Sequence, residues 1–194
     1  MATTGPLDGL KVLELGSFIA GPFAGQLLGD LGADVIKVEN PAGDPMRSWG
    51  VTTDDGDSLW WPTIARNKRS VTADLRTDEG RALVRQLAED ADVVLENFRP
   101  GVLARYGLAY EVLAARNPGL VMVSISGFGQ DGPESNRMAY APIVHAETGH
   151  LRYREGEPGG DMSFSAADVL SGLHGVIGLM AALRVRDQTG IGQH

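Results

Sequence analysis

Two short apolar runs enclose a glycine-rich helical pattern near the N-terminus. Residues 11–16 (KVLELG) and 34–40 (DVIKVEN) have the length and the aliphatic content of buried strands. Between them, residues 21–32 (GPFAGQLLGDLG) space their apolar side chains as one face of a helix does, with Pro22 near the start and Gly32 at the end. A strand–helix–strand unit of about thirty residues predicts two parallel strands joined by a right-handed crossover.

The same alternation continues along the rest of the chain. Strands are predicted at 70–74, 92–98 and 120–126, and short helical segments within 101–116. Thr77 precedes the helical pattern DEGRALVRQLAEDA as its cap, and residues 169–186 form a long apolar helix pattern. This order predicts an α/β fold, an open sheet with flanking helices. No low-complexity linker marks an internal domain boundary, and a further strand is expected near the final TGIGQH.

Composition excludes several classes of function. The chain contains no cysteine, which excludes disulfide scaffolds, thiolate zinc sites and cysteine nucleophiles. The four histidines show no metal-ligand spacing, so no metal is expected. A net charge of −8 argues against nucleic acid or an anionic membrane as a partner. No secretory signal is visible and no stretch approaches the ~18 apolar residues of a membrane span, so we expect a soluble, cytoplasmic protein.

The glycines and the basic residues each admit two interpretations. The chain has no P-loop, and Gly16, Gly21 and Gly25 do not have the G-x-G-x-x-G spacing of a dinucleotide site. Glycines at a strand-to-helix turn admit a ligand to the backbone, or they only permit close packing of helix on sheet. Ten of the 17 lysines and arginines lie between Lys37 and Arg105. They suit a polyanionic small ligand, although a charge run of this kind usually forms a solvated face.

Asp168 is the candidate nucleophile. It ends the segment SFSAAD, immediately before the long apolar helix, where an aspartate commonly acts as the N-cap. The positive end of a helix also favours the ionised carboxylate, which can attack an acyl carbon. Tyr140 is a candidate hydrogen-bond donor or a packed aromatic residue, and Trp49 lines a cleft or fills a core. We favour structural roles for the histidines.

Five segments then carry a family resemblance over nearly the whole chain. They are PLDGLKVLELGSFIAGPFAGQLLGDLGADVIKVENPAGDPMR, NKRSVTADLRTDEGR, DVVLENFRPGVLARYGL, NPGLVMVSISGFGQDGP and GLMAALRVRDQTGIGQH. In this order they resemble the class III CoA-transferase family (CaiB/BaiF), which includes formyl-CoA transferase, carnitine CoA-transferase and α-methylacyl-CoA racemase. The resemblance implies a Rossmann-like, mainly parallel sheet, an interlocked homodimer and a reaction through an aspartate, whose position Asp168 occupies.

The resemblance also implies the ligand-binding residues. The positions that match the family's CoA contacts are Ile19, Ala20, Ala73, Asp74, Leu75, Arg76, Asn97, Phe98, Arg99, Arg105, Arg137, Met138, Ala139 and Tyr140. Trp49 and Tyr140 match the substrate pocket. Formyl-CoA transferase has glutamine where this chain has Ile19 and arginine where it has Asn40, which disfavours an oxalate-type acceptor. Racemases have a His-Asp pair where this chain has Tyr140 and Ala141, which favours a transferase.

The function implied is transfer of CoA from an acyl-CoA thioester to a carboxylic acid through an aspartyl-CoA intermediate. Acyl-CoA and the acid are the expected partners, with CoA as substrate and no metal. Residues 1–194 are expected to form the N-terminal part of the large CoA-binding domain, with the small domain outside this chain. Two alternatives stay open. One is a racemase or epimerase that uses Asp168 and a histidine such as His145 as its two bases. The other is a non-catalytic CoA-binding or assembly fragment.

Overall fold

Five parallel strands form one sheet. The computed structural model describes residues 5–54, 56, 58–150 and 165–194. The strands are β1 (Lys11–Glu14), β2 (Asp34–Glu39), β3 (Lys68–Thr72), β4 (Val93–Glu96) and β5 (Val121–Ser124). Their order across the sheet is β3-β2-β1-β4-β5, and every neighbouring pair is parallel. The structure therefore confirms the predicted open α/β sheet and the parallel pair formed by the first two strands.

Helices cover both faces of this sheet. They are α1 (Ala20–Asp30), α2 (Trp60–Ile64), α3 (Asp78–Glu89), α4 (Val102–Arg105), α5 (Tyr110–Ala114), α6 (Ala141–Glu147) and α7 (Ala166–Thr189), and a 3-10 turn spans Pro45–Arg47. Helix α3 begins as predicted, because the hydroxyl of Thr77 accepts a hydrogen bond from the N–H of Gly80 at 3.0 Å.

Two apolar cores result from the alternation of side chains along the strands. Val12 and Val35 pack on the face that α1 and α7 cover, together with Leu28 and Leu179. Leu13 faces the opposite core, which α3, α4 and α5 cover. Each fully buried aliphatic side chain contributes roughly 1.5–3 kcal/mol to folding. Strands β1, β2 and β4 are mostly buried on both faces, which explains their continuous apolar runs, whereas β3 at the edge of the sheet is largely exposed.

Most element boundaries differ from the sequence predictions by one to three residues, and two of these differences concern predicted site residues or their neighbours. Strand β3 begins at Lys68 and ends at Thr72, two residues earlier than predicted, because two basic residues belong to the strand. Helix α7 begins at Ala166, so the prediction of Asp168 as N-cap is wrong. Ser165 precedes the helix, and Asp168 lies within its first turn.

Helix α7 is more apolar than we expected from the sequence. By length and composition alone it qualifies to cross a membrane, with a mean hydropathy of 1.6 over an 18-residue window, contrary to our expectation that no stretch approaches a span. A core helix of a soluble protein meets the same criteria. Here the helix packs on α1 and β5 and buries Leu179 and Leu183, while Ile177 is exposed. After α7, the N–H of Met122 in β5 donates to the carbonyl of Gln193 without forming a further strand.

The order of the strands places a crevice at one end of the sheet. Strand β1 lies in the middle, with β2 on one side and β4 on the other. The connections that leave β1 and β4 therefore diverge, and they open a space outside the carboxyl ends of these strands. Ligands of open α/β sheets bind at such a switch point.

Candidate active site

The loop after β1 and the loop after β4 are joined by the side chain of Asn97. Its Oδ1 accepts a hydrogen bond from the N–H of Ser17 at 2.8 Å, and its Nδ2 donates to the carbonyl of Ser17 at 2.9 Å. A Cβ at Gly16 would lie 2.8 Å from Asn97 Oδ1, so this contact requires a glycine. The side chain of Asn97 thus holds the floor of the crevice.

Phe18 has a left-handed backbone in this loop, with φ of 61°. This conformation costs a non-glycine residue roughly 1–2 kcal/mol, and such strain concentrates at functional sites. Its ring meets the ring of Tyr140 edge-on, with the centroids 6.0 Å apart. Sequence patterns do not point to Phe18, because no residue type in SFIAG marks a positive φ.

A first cavity of about 360 Å³ opens beside this loop. The predicted site residues that line it are Ala20, Asn97, Phe98, Arg99, Arg137, Met138, Ala139, Tyr140 and Asp168. The structure therefore brings together the candidate nucleophile and eight of the positions matched to CoA contacts. Ser17, Phe18, Ser126 and Ser171 also line the cavity and were not predicted.

Asp168 lies partly buried in this cavity, in the first turn of α7. Burial raises the pKa of its carboxyl above the ordinary value of 3.8, and the nearby His145 offsets part of that rise. The hydroxyl of Ser171 donates to the backbone carbonyl of Asp168 at 3.0 Å. This bond fixes the backbone of Asp168, and partial burial removes some of the water around its carboxylate, which makes it a stronger nucleophile than it is in water.

His145 stabilises the start of α7 from the neighbouring helix. It is 3% exposed, and its Nε2 accepts a hydrogen bond from the N–H of Ala167 at 3.2 Å. This bond satisfies one of the amide groups that a helix leaves free at its N-terminus. His145 does not line the cavity, which agrees with the structural role that we favoured.

A second cavity, of about 630 Å³, adjoins the first. It lies over the ends of β1 and β2, and the predicted residues that line it are Ala73, Asp74, Leu75, Arg76 and Phe98. Ser17 and Phe98 line both cavities, so the two form one groove across the switch point. Tyr106, which was not predicted, forms part of the wall.

Arg76 and Asp74 form a fork-to-fork pair in the second cavity. Arg76 Nε and Nη2 donate to the two carboxylate oxygens of Asp74 at 2.9 and 2.8 Å. The Arg76 guanidinium lowers the pKa of Asp74 to about 2. The arginine is exposed, so it is accessible to an anionic ligand at the mouth of the groove.

Three predicted site residues lie outside the groove. Ile19 is buried and packs with Met46 and Ile64. Trp49 contacts Trp60, with the ring centroids 6.1 Å apart, and lines neither cavity. Arg105 is exposed at the end of α4 and lines neither cavity. Within the described residues, no group of three histidine, aspartate or glutamate side chains has the geometry of a metal site.

Comparison with known proteins settles the family. A family model described as CoA-transferase family III matches residues 7–194. The chain belongs to CoA-transferase family III. This confirms the resemblance stated from the sequence.

Relatives of this family III chain are similar over almost all of it. The succinyl-CoA–D-citramalate CoA-transferase of Chloroflexus aurantiacus is 50% identical over 192 residues, which cover 97% of this chain and 48% of that protein. The succinate–glutarate CoA-transferase of Agrobacterium fabrum is 47% identical, covering 97% and 50%. A crystal structure of a CaiB/BaiF family protein from Brucella suis superposes with a TM-score of 0.91 at 47% identity, covering 99% and 52%. The chain thus spans about half the length of these relatives.

Proposed function

We propose that this chain is the CoA-binding portion of an enzyme that transfers CoA from an acyl-CoA thioester to a carboxylic acid. The observation that carries the proposal is the partly buried carboxyl of Asp168 at one end of a continuous groove. The other end of the groove has room for a nucleotide and an arginine at its mouth. On this proposal residues 1–194 form the N-terminal part of the large domain.

The groove suggests an orientation for the thioester. The nucleotide end of CoA occupies the second cavity, where Arg76 meets its phosphates. The extended arm passes Ser17 and Phe98, which line both cavities. The acyl carbon then lies near Asp168 in the first cavity, with Arg99 also on its wall. Arg105 stays a candidate for a CoA phosphate on the basis of the family resemblance alone.

The proposed reaction uses Asp168 as a covalent nucleophile. Its carboxylate attacks the thioester carbonyl carbon, the C–S bond breaks, and a mixed anhydride and the CoA thiolate form. The thiolate attacks the aspartyl carbonyl carbon, which releases the donor acid and leaves CoA as a thioester on Asp168. An acceptor carboxylate repeats these steps in reverse and leaves as the new acyl-CoA. The thioester bond is conserved throughout, so no ATP is consumed.

The relatives suggest the class of acid. Two of the relatives above are named as CoA-transferases of succinyl-CoA with D-citramalate and of succinate with glutarate, and others are named for L-malate. We therefore propose succinyl-CoA as donor and a short dicarboxylic acid as acceptor. Relatives in Chloroflexus aurantiacus are named as alpha and beta subunits, which supports an assembly of more than one chain. The homodimer and the cytoplasmic location stay predictions.

The position of His145 favours transfer over racemisation. A racemase needs a second base that faces the α-carbon from the opposite side of Asp168. The Nε2 lone pair of His145 is already bonded to a backbone N–H, and the imidazole lies outside the cavity. Tyr140 lines the cavity where racemases place their histidine.

Intact-protein mass spectrometry tests the proposal. The chain is incubated with succinyl-CoA beside its relative from Chloroflexus aurantiacus, and we expect a CoA-sized adduct that hydroxylamine releases. Asp168→Asn must abolish the adduct, while Asp187→Asn, an exposed position on the same helix, must retain it.

Other outcomes would redirect the assignment. Deuterium incorporation at the α-carbon without exchange of CoA would support the racemase. CoA binding without an adduct, unchanged in Asp168→Asn, would support a binding or assembly fragment.

A further inference from the structure

Four charged side chains are buried together beneath the loop that follows β1. Glu14, Lys37, Asp44 and Lys68 have side chains that are 0–2% exposed. Two are anionic and two are cationic, so the cluster is neutral as a whole. We call these four residues the buried ion-pair cluster. Burying charge is costly unless it is paired and fully hydrogen-bonded, so the contacts within the cluster decide what it does.

Lys37 uses its ammonium group to join three parts of the chain. Its Nζ lies 3.0 Å from Glu14 Oε1, 2.8 Å from Asp44 Oδ2 and 2.8 Å from the carbonyl oxygen of Gly16. An ammonium has three N–H donors, so all three are engaged. Burial alone lowers the pKa of Lys37, but the two carboxylates outweigh burial and the net pKa is raised. The three contacts therefore persist across the physiological range of pH.

Two of these three partners belong to the walls of the groove. Gly16 and Asp44 both line the second cavity, and Ser17, the next residue after Gly16, lines both cavities. The other carboxylate oxygen of Asp44 accepts a hydrogen bond from the N–H of Met46 at 2.9 Å, at the start of the 3-10 turn. Lys37 thus ties the loop after β1 to the loop after β2, across the base of the second cavity.

From these contacts we propose that Lys37 is a positioning residue for ligand binding. It fixes the spacing between the carbonyl of Gly16 and the carboxylate of Asp44, and through them the two walls that enclose the nucleotide end of CoA. It acts on affinity rather than on acyl transfer, because Asp168 is held by α6 and α7 on the other side of the groove. The proposal rests on the proposed function for the identity of the ligand.

Lys68 provides a matched control within the same cluster. Its side chain is also 2% exposed, and its Nζ lies 2.7 Å from the second carboxylate oxygen of Glu14. Its other contact is the carbonyl of Pro22 in α1 at 2.6 Å, and Pro22 lines neither cavity. Lys37→Met and Lys68→Met therefore remove the same charge beside the same carboxylate of Glu14. Only Lys37→Met also removes the contact that joins the loops after β1 and β2 at the second cavity.

Hydrogen exchange of the ligand-free protein tests the positioning directly. Lys37→Met should speed amide exchange in residues 15–19 and 40–47, whereas Lys68→Met should leave residues 40–47 at the wild-type rate. Isothermal titration should show CoA affinity at least ~10-fold weaker in Lys37→Met than in Lys68→Met, since small displacements of positioning groups have effects of this size. The rate of adduct formation at saturating succinyl-CoA should stay within ~3-fold of wild type.

Equal exchange and equal affinity in the two lysine variants would overturn the proposal, because a purely structural role affects both alike. If Lys37→Met does not fold, Asp44→Asn replaces it, since this variant keeps an acceptor for Met46 and loses only the ionic contact with Lys37. Faster exchange in residues 40–47 is then the expected result, and wild-type exchange there contradicts the proposal. Absence of CoA binding by the wild type would refute the proposed function, while the exchange experiment would still decide the role of Lys37.

Discussion

Glu39 at the end of β2 should make the stability of this chain depend on pH in a defined window. Arg47 Nε and Nη2 donate to its two carboxylate oxygens at 2.7 and 2.9 Å. The N–H of Asp44 adds a bond of 3.1 Å, and the hydroxyl of Ser70 adds another. Burial alone would raise the pKa of Glu39, but these bonds outweigh it and lower the pKa from 4.5 to about 2.

The size of the effect follows from that shift. A folded pKa of about 2 against the ordinary value of 4.5 corresponds to about 3 kcal/mol of folding free energy. Arg47 is 45% exposed, and solvent screening of its charge reduces the figure to about 2 kcal/mol. Because the folded pKa is lowered, the stabilisation is complete above the ordinary pKa of 4.5 and is lost as the pH falls toward 2.

Urea unfolding of the wild type and of Glu39→Gln measures this contribution. The difference in free energy of unfolding should be about 2 kcal/mol at neutral pH and should fall to about half of that near pH 3. Asp74→Asn is the control, since Asp74 has a similarly low pKa but its partner Arg76 is exposed, so its effect should be smaller. A Glu39→Gln difference that is the same at both pH values would refute the reasoning.

Two further predictions concern the proposed nucleophile, Asp168, and a close contact at Gly25. The rate of adduct formation should rise with pH through the raised pKa of Asp168, because only the ionised carboxylate attacks; a rate that is flat from about pH 4 to about pH 7 would contradict this. Gly25→Ala should lower the free energy of unfolding by at least about 2 kcal/mol in urea unfolding, because its Cβ would lie 2.0 Å from Oε2 of the buried Glu14. Gly178→Ala in α7, where a Cβ meets nothing within 4 Å, should be neutral or stabilising by up to about 1 kcal/mol, and equal losses at both glycines would refute the steric argument.

The sheet was predictable because most of its strands are buried on both faces. Apolar runs at β1, β2, β4 and β5 need no knowledge of their neighbours to be recognised as strands. The sequence pattern predicts β3 two residues too late, because Lys68 and Arg69 are charged and are not typical of a strand in a parallel sheet. Lys68 belongs there because Glu14, far away in the sequence, neutralises its ammonium. That contact becomes visible only when β1, β2 and β3 lie side by side.

The site was predictable by family resemblance more than by pattern. Asp168, predicted as the nucleophile from the family resemblance, lines the first cavity, but it is not the N-cap, because the helix begins two residues before it. The adjacent residues Ile19 and Ala20 were predicted together, yet one faces the core and the other the cavity. The left-handed backbone of Phe18 turns the chain just before them, and no residue type in that segment announces it.

The hydrogen bonds between Ser17 and Asn97 join residues that are 80 positions apart. Strands β1, β2 and β3 all precede residue 73, so they can pair while the rest of the chain is still being synthesised. The crevice cannot exist until β4 inserts beside β1, and Asp168 does not reach it until α7 docks. Loop closures of this length are slow steps in folding. The ligand binding proposed for this chain should therefore appear last in refolding, after the circular-dichroism signal of the sheet. It should appear only in molecules in which β4 has inserted beside β1 and α7 has docked.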